Sequence, residues 1–258
     1  MGLVGQLRAA MAAAADPERA ADMQAYMKST MPYYGLRLPQ VRVVCRQVFE
    51  GESMTCAEWR QTILDLWRGA LRREERYAAQ YLLRMKRHQA CLGPRDMPML
   101  EELVVSGAWW DLVDELAMVV GDLLAKHPRE IRPLMRRWST DPNLWKRRVS
   151  IICQLRFKAK TDLDLLYANI EPNLADRDFF IRKAIGWALR QYAWTDPKEV
   201  ERYVREHEDR LSGLSKREAL KNIASPPAGK LARRRAPGLT GAASPSRSAR
   251  PDGDRLPS

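Results

Sequence analysis

The chain of 258 residues is poor in the side chains that build metal and redox centres, with four cysteines and three histidines. Cys45, Cys56, Cys91 and Cys153 stand at no zinc-binding spacing, and of His88, His127 and His207 only His88 lies close to one of them, Cys91. Neither a zinc site nor a disulfide framework is expected from that distribution, and no cofactor motif replaces them. Long apolar runs are missing too. Each apolar stretch is broken by Asp, Glu, Lys or Arg short of the ~18 residues a membrane-spanning helix needs, and the mean hydropathy is −0.46. The opening run ends in Asp16-Pro17-Glu18 and reads as an amphipathic first helix rather than a secretion signal, which puts the expected location in the cytoplasm.

Acidic residues are also in deficit. Forty-four Lys and Arg face 32 Asp and Glu, a net charge of +12 and a sequence pI of about 9.8. That balance suits a partner rich in phosphate. From Ser225 to Ser258 the composition turns to Pro, Ser, Gly, Ala and Arg, which cannot form a core. This segment carries a net +5 and leaves +7 for the rest. The expected organisation is a folded domain over 1–224 and a disordered basic tail over 225–258. Arg233-Arg234-Arg235 reads either as a phosphate-gripping arm or as a solvated basic stretch.

Alternating strands are absent between Leu3 and Ile223, whereas apolar residues return again and again at three- and four-residue steps. The expected fold class is all-α. Asp16-Pro17, Asp141-Pro142 and Asp196-Pro197 each place an N-cap acceptor before a proline suited to the first helical position. Further helix starts are expected near Pro39, Cys56, Arg73, Met97, Ala108, Pro128, Asp162, Asp176 and Ser215, giving stacked hairpins of helices about 10 to 17 residues long.

A longer period shows in unusual residues. Trp110, Arg148 and Trp187 recur at steps of 38 and 39 positions, near the ~40-residue period of two-helix solenoid repeats of the HEAT and armadillo type. Equivalent positions of such repeats line one surface, so the three either share a concave groove or coincide by chance. At 100° per residue, Leu112, Val113, Leu116, Val119, Val120 and Leu123 gather on one helix side, and Trp110 and Asp114 sit together away from it. Arg148 falls instead among Leu144, Ile151, Ile152 and Leu155, on an apolar face. A buried guanidinium must be paired, and Asp114 is the candidate partner. Trp187 has Lys183 and Arg190 on either side, an aromatic flanked by cations that suits a sugar-phosphate chain. Lys158 and Lys160 read as phosphate contacts or as a solvated helix end.

These residues stand in runs that carry a resemblance. Tyr26-Met27-Lys28, Trp109-Trp110-Asp111-Leu112-Val113-Asp114, Leu144-Trp145-Lys146-Arg147-Arg148, Gln154-Leu155-Arg156-Phe157-Lys158, Ala184-Ile185-Gly186-Trp187 and Leu214 to Lys221 follow in this order. Together they resemble the AlkD-type DNA alkylation repair glycosylases, from about Leu3 to Ile223. The tail has no counterpart there. The resemblance implies a HEAT-like solenoid that cradles duplex DNA in a basic concave groove and removes N3- and N7-alkylated purines. It implies Asp114 as the catalytic carboxylate, Trp110 and Trp187 as its aromatic companions, and Tyr26 and Arg148 as DNA contacts; Lys158, Lys160, Lys183 and Arg190 are expected DNA contacts on the residue pattern alone. Tyr33-Tyr34 and the loop after Leu92 depart from the family's usual pattern, which leaves the substrate range open.

The chemistry such a site needs is modest. Alkylation makes the purine cationic and a good leaving group, so one carboxylate has to stabilise the oxocarbenium-like sugar and position water. No lysine stands out as a Schiff-base nucleophile, so a monofunctional enzyme working as a monomer on double-stranded DNA, without metal or membrane, is expected. Two other functions remain open, a non-catalytic HEAT-repeat scaffold for DNA, which would not need Asp114, and a protein scaffold, which would not need the basic groove. Trp59, Trp67, Trp138, Trp145, Trp194 and Trp109 are expected to pack, and Asp111 to cap the helix that follows Ser106-Gly107.

Overall fold

The computed structural model describes residues 2–224, so the expected tail from Ser225 lies outside the described residues. Within them the chain is all-α: α1 Leu3–Ala13, α2 Pro17–Met27, α3 Leu38–Phe49, α4 Cys56–Arg68, α5 Arg73–Arg84, α6 Met97–Gly107 and α7 Trp110–Lys126. There follow α8 Pro128–Trp138, α9 Leu144–Ile152, α10 Leu163–Ile170, α11 Phe179–Tyr192, α12 Pro197–Glu206 and α13 Gly213–Ala224. No helix among the described residues is long and apolar enough to cross a membrane.

Local chemistry sets the helix starts. The Asp16 carboxylate accepts the backbone N–H of Arg19, Asp162 that of Leu165, Asp178 that of Phe180 and Asp196 that of Glu199. Each satisfies one of the orphan donors of a first turn, a contribution of about 1 kcal/mol. Asp141-Pro142 behaves differently from expectation. Asp141 accepts the N–H of Asn143, and Asn143 itself caps α9 by accepting from Trp145 and Lys146. The turn therefore takes up the Asp-Pro pair, and the helix starts two residues later. Helix lengths run from 8 to 17 residues, with α10 and α9 shorter than expected.

The odd-numbered helices form one continuous layer, each packing on the next from α1 to α13, and helices of the second layer back them, α4 on α5, α6 on α7, α8 on α9 and α12 on α13. Such a ladder is a solenoid-like array. Its polar ties repeat the same span of chain. Arg60 meets Asp96, Arg73 meets Asp111, Arg148 meets Asp114, Tyr167 meets Glu199 and Lys183 meets Glu218, each reaching about one helical hairpin along the sequence. The core is apolar and aromatic, with Trp59, Trp67, Trp138 and Trp145 buried as expected and Trp194 half-buried.

Two expectations fail. Cys56 and Cys91 form a disulfide, which pins the start of α4 to the segment before α6, while Cys45 and Cys153 stay free and buried. The cysteines are 35 positions apart and share no local motif, so only the stacking of hairpins reveals the pair. Asp111 does not cap. The N-cap position of α7 is Trp109, which has no side-chain acceptor, and the Asp111 carboxylate turns instead to Arg73 and Tyr77 of α5.

Candidate active site

The long helix α7 buries Leu112, Val113, Leu116, Val119, Val120 and Leu123, as its periodicity requires, and leaves Trp110 37% exposed at its first position. Asp114, one turn on, is mostly buried, its side chain 18% exposed. Both line a cavity of about 390 Å³ with Asp111, Glu115, Met118, Leu155, Arg156, Trp187 and Gln191. The three residues that recur at a solenoid period have thus met: Trp110 and Trp187 on the wall, and Arg148 directly behind Asp114.

Arg148 is 3% exposed. Its Nε donates to Asp114 Oδ1 at 2.7 Å and its Nη2 to Oδ2 at 2.8 Å, while Nη1 donates to the backbone carbonyl of Phe180 at 2.7 Å. The guanidinium is therefore engaged with protein on three sides and acts behind the site rather than on its surface. An aromatic cluster supports it. Phe180 packs against Trp109 and Trp145 with ring centres 5.4 and 5.0 Å away, and the guanidinium carbon lies 5.9 Å from the Phe180 ring centre. Trp109 packs as expected.

The Asp114 carboxyl is raised above its ordinary range. Burial is the main cause and the neighbouring Asp111 charge adds to it, whereas the hydrogen bonds and charge of Arg148 pull the other way. A carboxylate poised between desolvation and a bidentate guanidinium is a strong local anion facing a cavity with aromatic walls. It can respond to a positive charge that develops in front of it.

Trp187 is half-buried on α11, one residue after Gly186. A Cβ on Gly186 would stand 2.5 Å from the Glu218 Cβ and 2.9 Å from the Ser215 carbonyl, so glycine is what lets α13 come this close. The approach changes the reading of the flanking cations. Lys183 Nζ lies 2.7 Å from Glu218 Oε1 and Arg190 Nη1 lies 2.6 Å from Oε2, so both are tied to one carboxylate. Arg156, exposed and without an ion pair among the described residues, is the cation on the cavity wall. Lys158 and Lys160 are exposed on the short turn Lys158–Lys160 after α9. Tyr26 is 78% exposed at the end of α2 and lines neither this cavity nor the next.

The next cavity is larger, about 740 Å³, and shares Asp111 and Glu115 with the first. Arg42, Arg46, Arg84, Lys86 and Arg87 line it beside Tyr77 and Tyr81. Arg84 is held by Glu115, but Arg42, Arg46 and Lys86 are exposed and make no ion pair among the described residues. The sequence pattern did not single these cations out, although Arg42 and Arg46 lie four apart on α3, both exposed on one side of the helix. No group of three or more His, Cys, Asp or Glu side chains among the described residues could hold a metal ion.

Comparison with known proteins bears on the family and the fold. The sequence model of the family described as DNA alkylation repair enzyme matches residues 7–223. A solved structure described as a predicted DNA alkylation repair enzyme from Enterococcus faecalis superimposes with a TM-score of 0.74 at 33% identity, covering 81% of this chain and 97% of that one. No curated protein matches the sequence significantly.

Proposed function

Because the chain belongs to the DNA alkylation repair enzyme family, we propose that it is a monofunctional DNA glycosylase that hydrolyses the N-glycosidic bond of cationic N3- and N7-alkylated purines in duplex DNA. The observation that carries this reading is Asp114, held by Arg148 at the rim of a cavity walled by Trp110 and Trp187.

The alkylated purine is already cationic, so it leaves without a proton donor. As the bond to C1′ breaks, the deoxyribose takes on oxocarbenium character and the Asp114 carboxylate stabilises it, then positions the water that attacks C1′. At about 4 Å and an effective dielectric near 20 a carboxylate and a cation attract by roughly 4 kcal/mol, which is about a thousandfold in rate. The faces of Trp110 and Trp187 add cation–π attraction of about 0.5 to 2 kcal/mol each. No cofactor has a task in this scheme, and a groove within one chain suffices for a monomer.

The duplex is held along the basic side of the odd-helix layer. Arg42, Arg46 and Lys86 at the larger cavity, Arg156 at the site, and Lys158 and Lys160 shortly after it in the chain are exposed cations available to phosphates. Tyr26 is the outlying contact. Arg148 serves the reaction through Asp114, and Lys183 and Arg190 serve it by holding Trp187's helix against Glu218.

The test is a single-turnover assay of base release from methylated duplex DNA. Release of 7-methylguanine or 3-methyladenine with an alkali-labile abasic product supports the reading. Tight DNA binding with no release from any alkylated duplex replaces it with a non-catalytic DNA-binding scaffold.

A further inference from the structure

A second carboxylate faces the same cavity. Asp111 lies one turn before Asp114 on α7 and lines both cavities at their junction. Arg73 of α5 clamps it: Nε donates to Oδ2 at 2.9 Å and Nη2 to Oδ1 at 2.5 Å. Tyr77, one turn along α5, donates its hydroxyl to Oδ2 at 2.5 Å, and the Tyr33 hydroxyl lies 3.4 Å from that of Tyr77. The side chains of Arg73 and Asp111 are 7% and 10% exposed, so an ion pair has been taken out of water. Such pairs add little net stability against apolar packing, which makes a different role worth seeking.

That role is visible in how α7 begins. Ala108 is in the left-handed region at φ 39°, and Trp109 occupies the cap position without a side-chain acceptor. The first turn, which presents Trp110, therefore has no cap of its own. Its ties run to α5 instead, through Asp111 and through Gln80, whose amide donates to the Leu112 carbonyl at 2.7 Å. An anion at this end also complements the positive pole of the helix.

We propose that Asp111 is a positioning residue: clamped by Arg73 and Tyr77, it fixes the first turn of α7, aims Trp110 and Asp114 into the cavity, and sets the charge environment in which Asp114 works. The charged groups around Asp114 are Arg148 of α9, Asp111 and Glu115 of α7, and Arg156 after α9, with Glu115 occupied by Arg84. Asp111 is the neighbour whose charge raises the Asp114 carboxyl. The inference rests on Asp114 being the catalytic carboxylate.

The experiment compares Asp111→Asn, Asp111→Glu and Tyr77→Phe with the wild type in full-length protein. It times single-turnover release of 7-methylguanine at saturating enzyme across the acid limb of the pH profile. Asp111→Asn keeps the shape and loses the charge. It is expected to slow excision by about ten- to a hundredfold with DNA affinity unchanged, and to move the acid limb to lower pH. Asp111→Glu should return the limb to its wild-type place, and Tyr77→Phe, which removes a hydrogen bond and no charge, should slow excision without moving it. A wild-type rate in Asp111→Asn overturns the proposal. So does a loss that follows the melting temperature with the limb unmoved. If the wild type releases no base, the glycosylase reading has failed, and amide exchange over residues 110–115 still reads the tether. Exchange that quickens in Asp111→Asn at this turn alone supports the positioning role, and unchanged exchange overturns it.

Discussion

Arg148 donates to both oxygens of Asp114, at 2.7 and 2.8 Å, and with its third nitrogen to the carbonyl of Phe180. One side chain of α9 thereby fixes a carboxylate on α7 against the start of α11. Its guanidinium is planar and rigid, so the carboxylate is held in one orientation before any substrate arrives.

Asp114→Asn is expected to lower the single-turnover excision rate by about a thousandfold or more. DNA affinity should stay within a few-fold, because the carboxylate acts on charge present in the transition state only. Excision kinetics and a binding titration on the same methylated duplex check both halves. Wild-type excision by this variant would assign the chemistry to another acid.

Arg148→Ala strands a buried carboxylate and should destabilise the protein by about 3 to 5 kcal/mol. Adding Asp114→Ala should give back part of that loss, since the stranded charge is then gone. Denaturant unfolding of the two single variants and the double variant closes the cycle. Additive losses would show that the pair is not coupled.

The pH dependence of excision follows from the raised Asp114 carboxyl. The ionised form is the active one, so activity is lost as pH falls through that raised value, and the acid limb should lie above the ordinary aspartate value of 3.8. Excision at saturating enzyme across acid pH locates the limb. A midpoint at or below 3.8 would remove Asp114 from the role or burial from the argument.

His88 makes a second pH prediction, this time for stability. The ring is buried against Trp59, Nε2 has no hydrogen-bond partner among the described residues, and burial, aided by the Arg87 charge, lowers its proton affinity. Unfolded, the ring takes up a proton near pH 6.5, while the folded ring resists until lower pH. Its contribution is therefore neutral above that value, and stability falls as pH drops below it. His88→Phe, which keeps the stacked ring, should flatten this part of the urea-midpoint profile against pH. An equally steep profile in the variant would place the effect elsewhere.

On α3, replacing Arg42 and Arg46 together by alanine should weaken binding evenly across DNA sequences. Each phosphate contact contributes about 0.9 to the slope of log affinity against log salt, so the slope's magnitude should fall by about 1.8. A salt titration of both proteins on one duplex reads the change. An unaltered slope would take the duplex away from the larger cavity.

Sequence order shows some of this site and hides the rest for a physical reason. Helix periodicity separates Trp110 and Asp114 from the apolar side of α7, and the same periodicity drops Arg148 into an apolar face where it must find a partner. Both inferences use forces that act within one helix. Arg73-Glu74-Glu75, by contrast, stands at an expected helix start and carries no apolar signal, yet all three side chains are buried. Glu74 accepts the backbone N–H groups of Tyr34, Gly35 and Leu36, and Glu75 takes Arg8 and the Tyr34 hydroxyl. Their partners lie about 40 or more positions away and carry no local signal. Glu218 and the Cys56–Cys91 pair escape notice for the same reason. Arg156 was in plain view in a family motif, but only the fold distinguishes it from Lys183 and Arg190, which α13 neutralises.

The close seating of α13 against Gly186 also bears on how the protein is made. Helices of a ladder contact mainly their neighbours, so early hairpins can settle while later ones are still being synthesised. The carboxylate that ties down Lys183 and Arg190 beside Trp187 belongs to the last described helix. On the ribosome, Asp114 and Arg148 can therefore pair before the helix that carries Trp187 is locked. The face that carries Trp110, Asp114 and Trp187 is completed from its first half to its second, and a nascent chain stalled before Glu218 lacks the tie that holds the helix of Trp187.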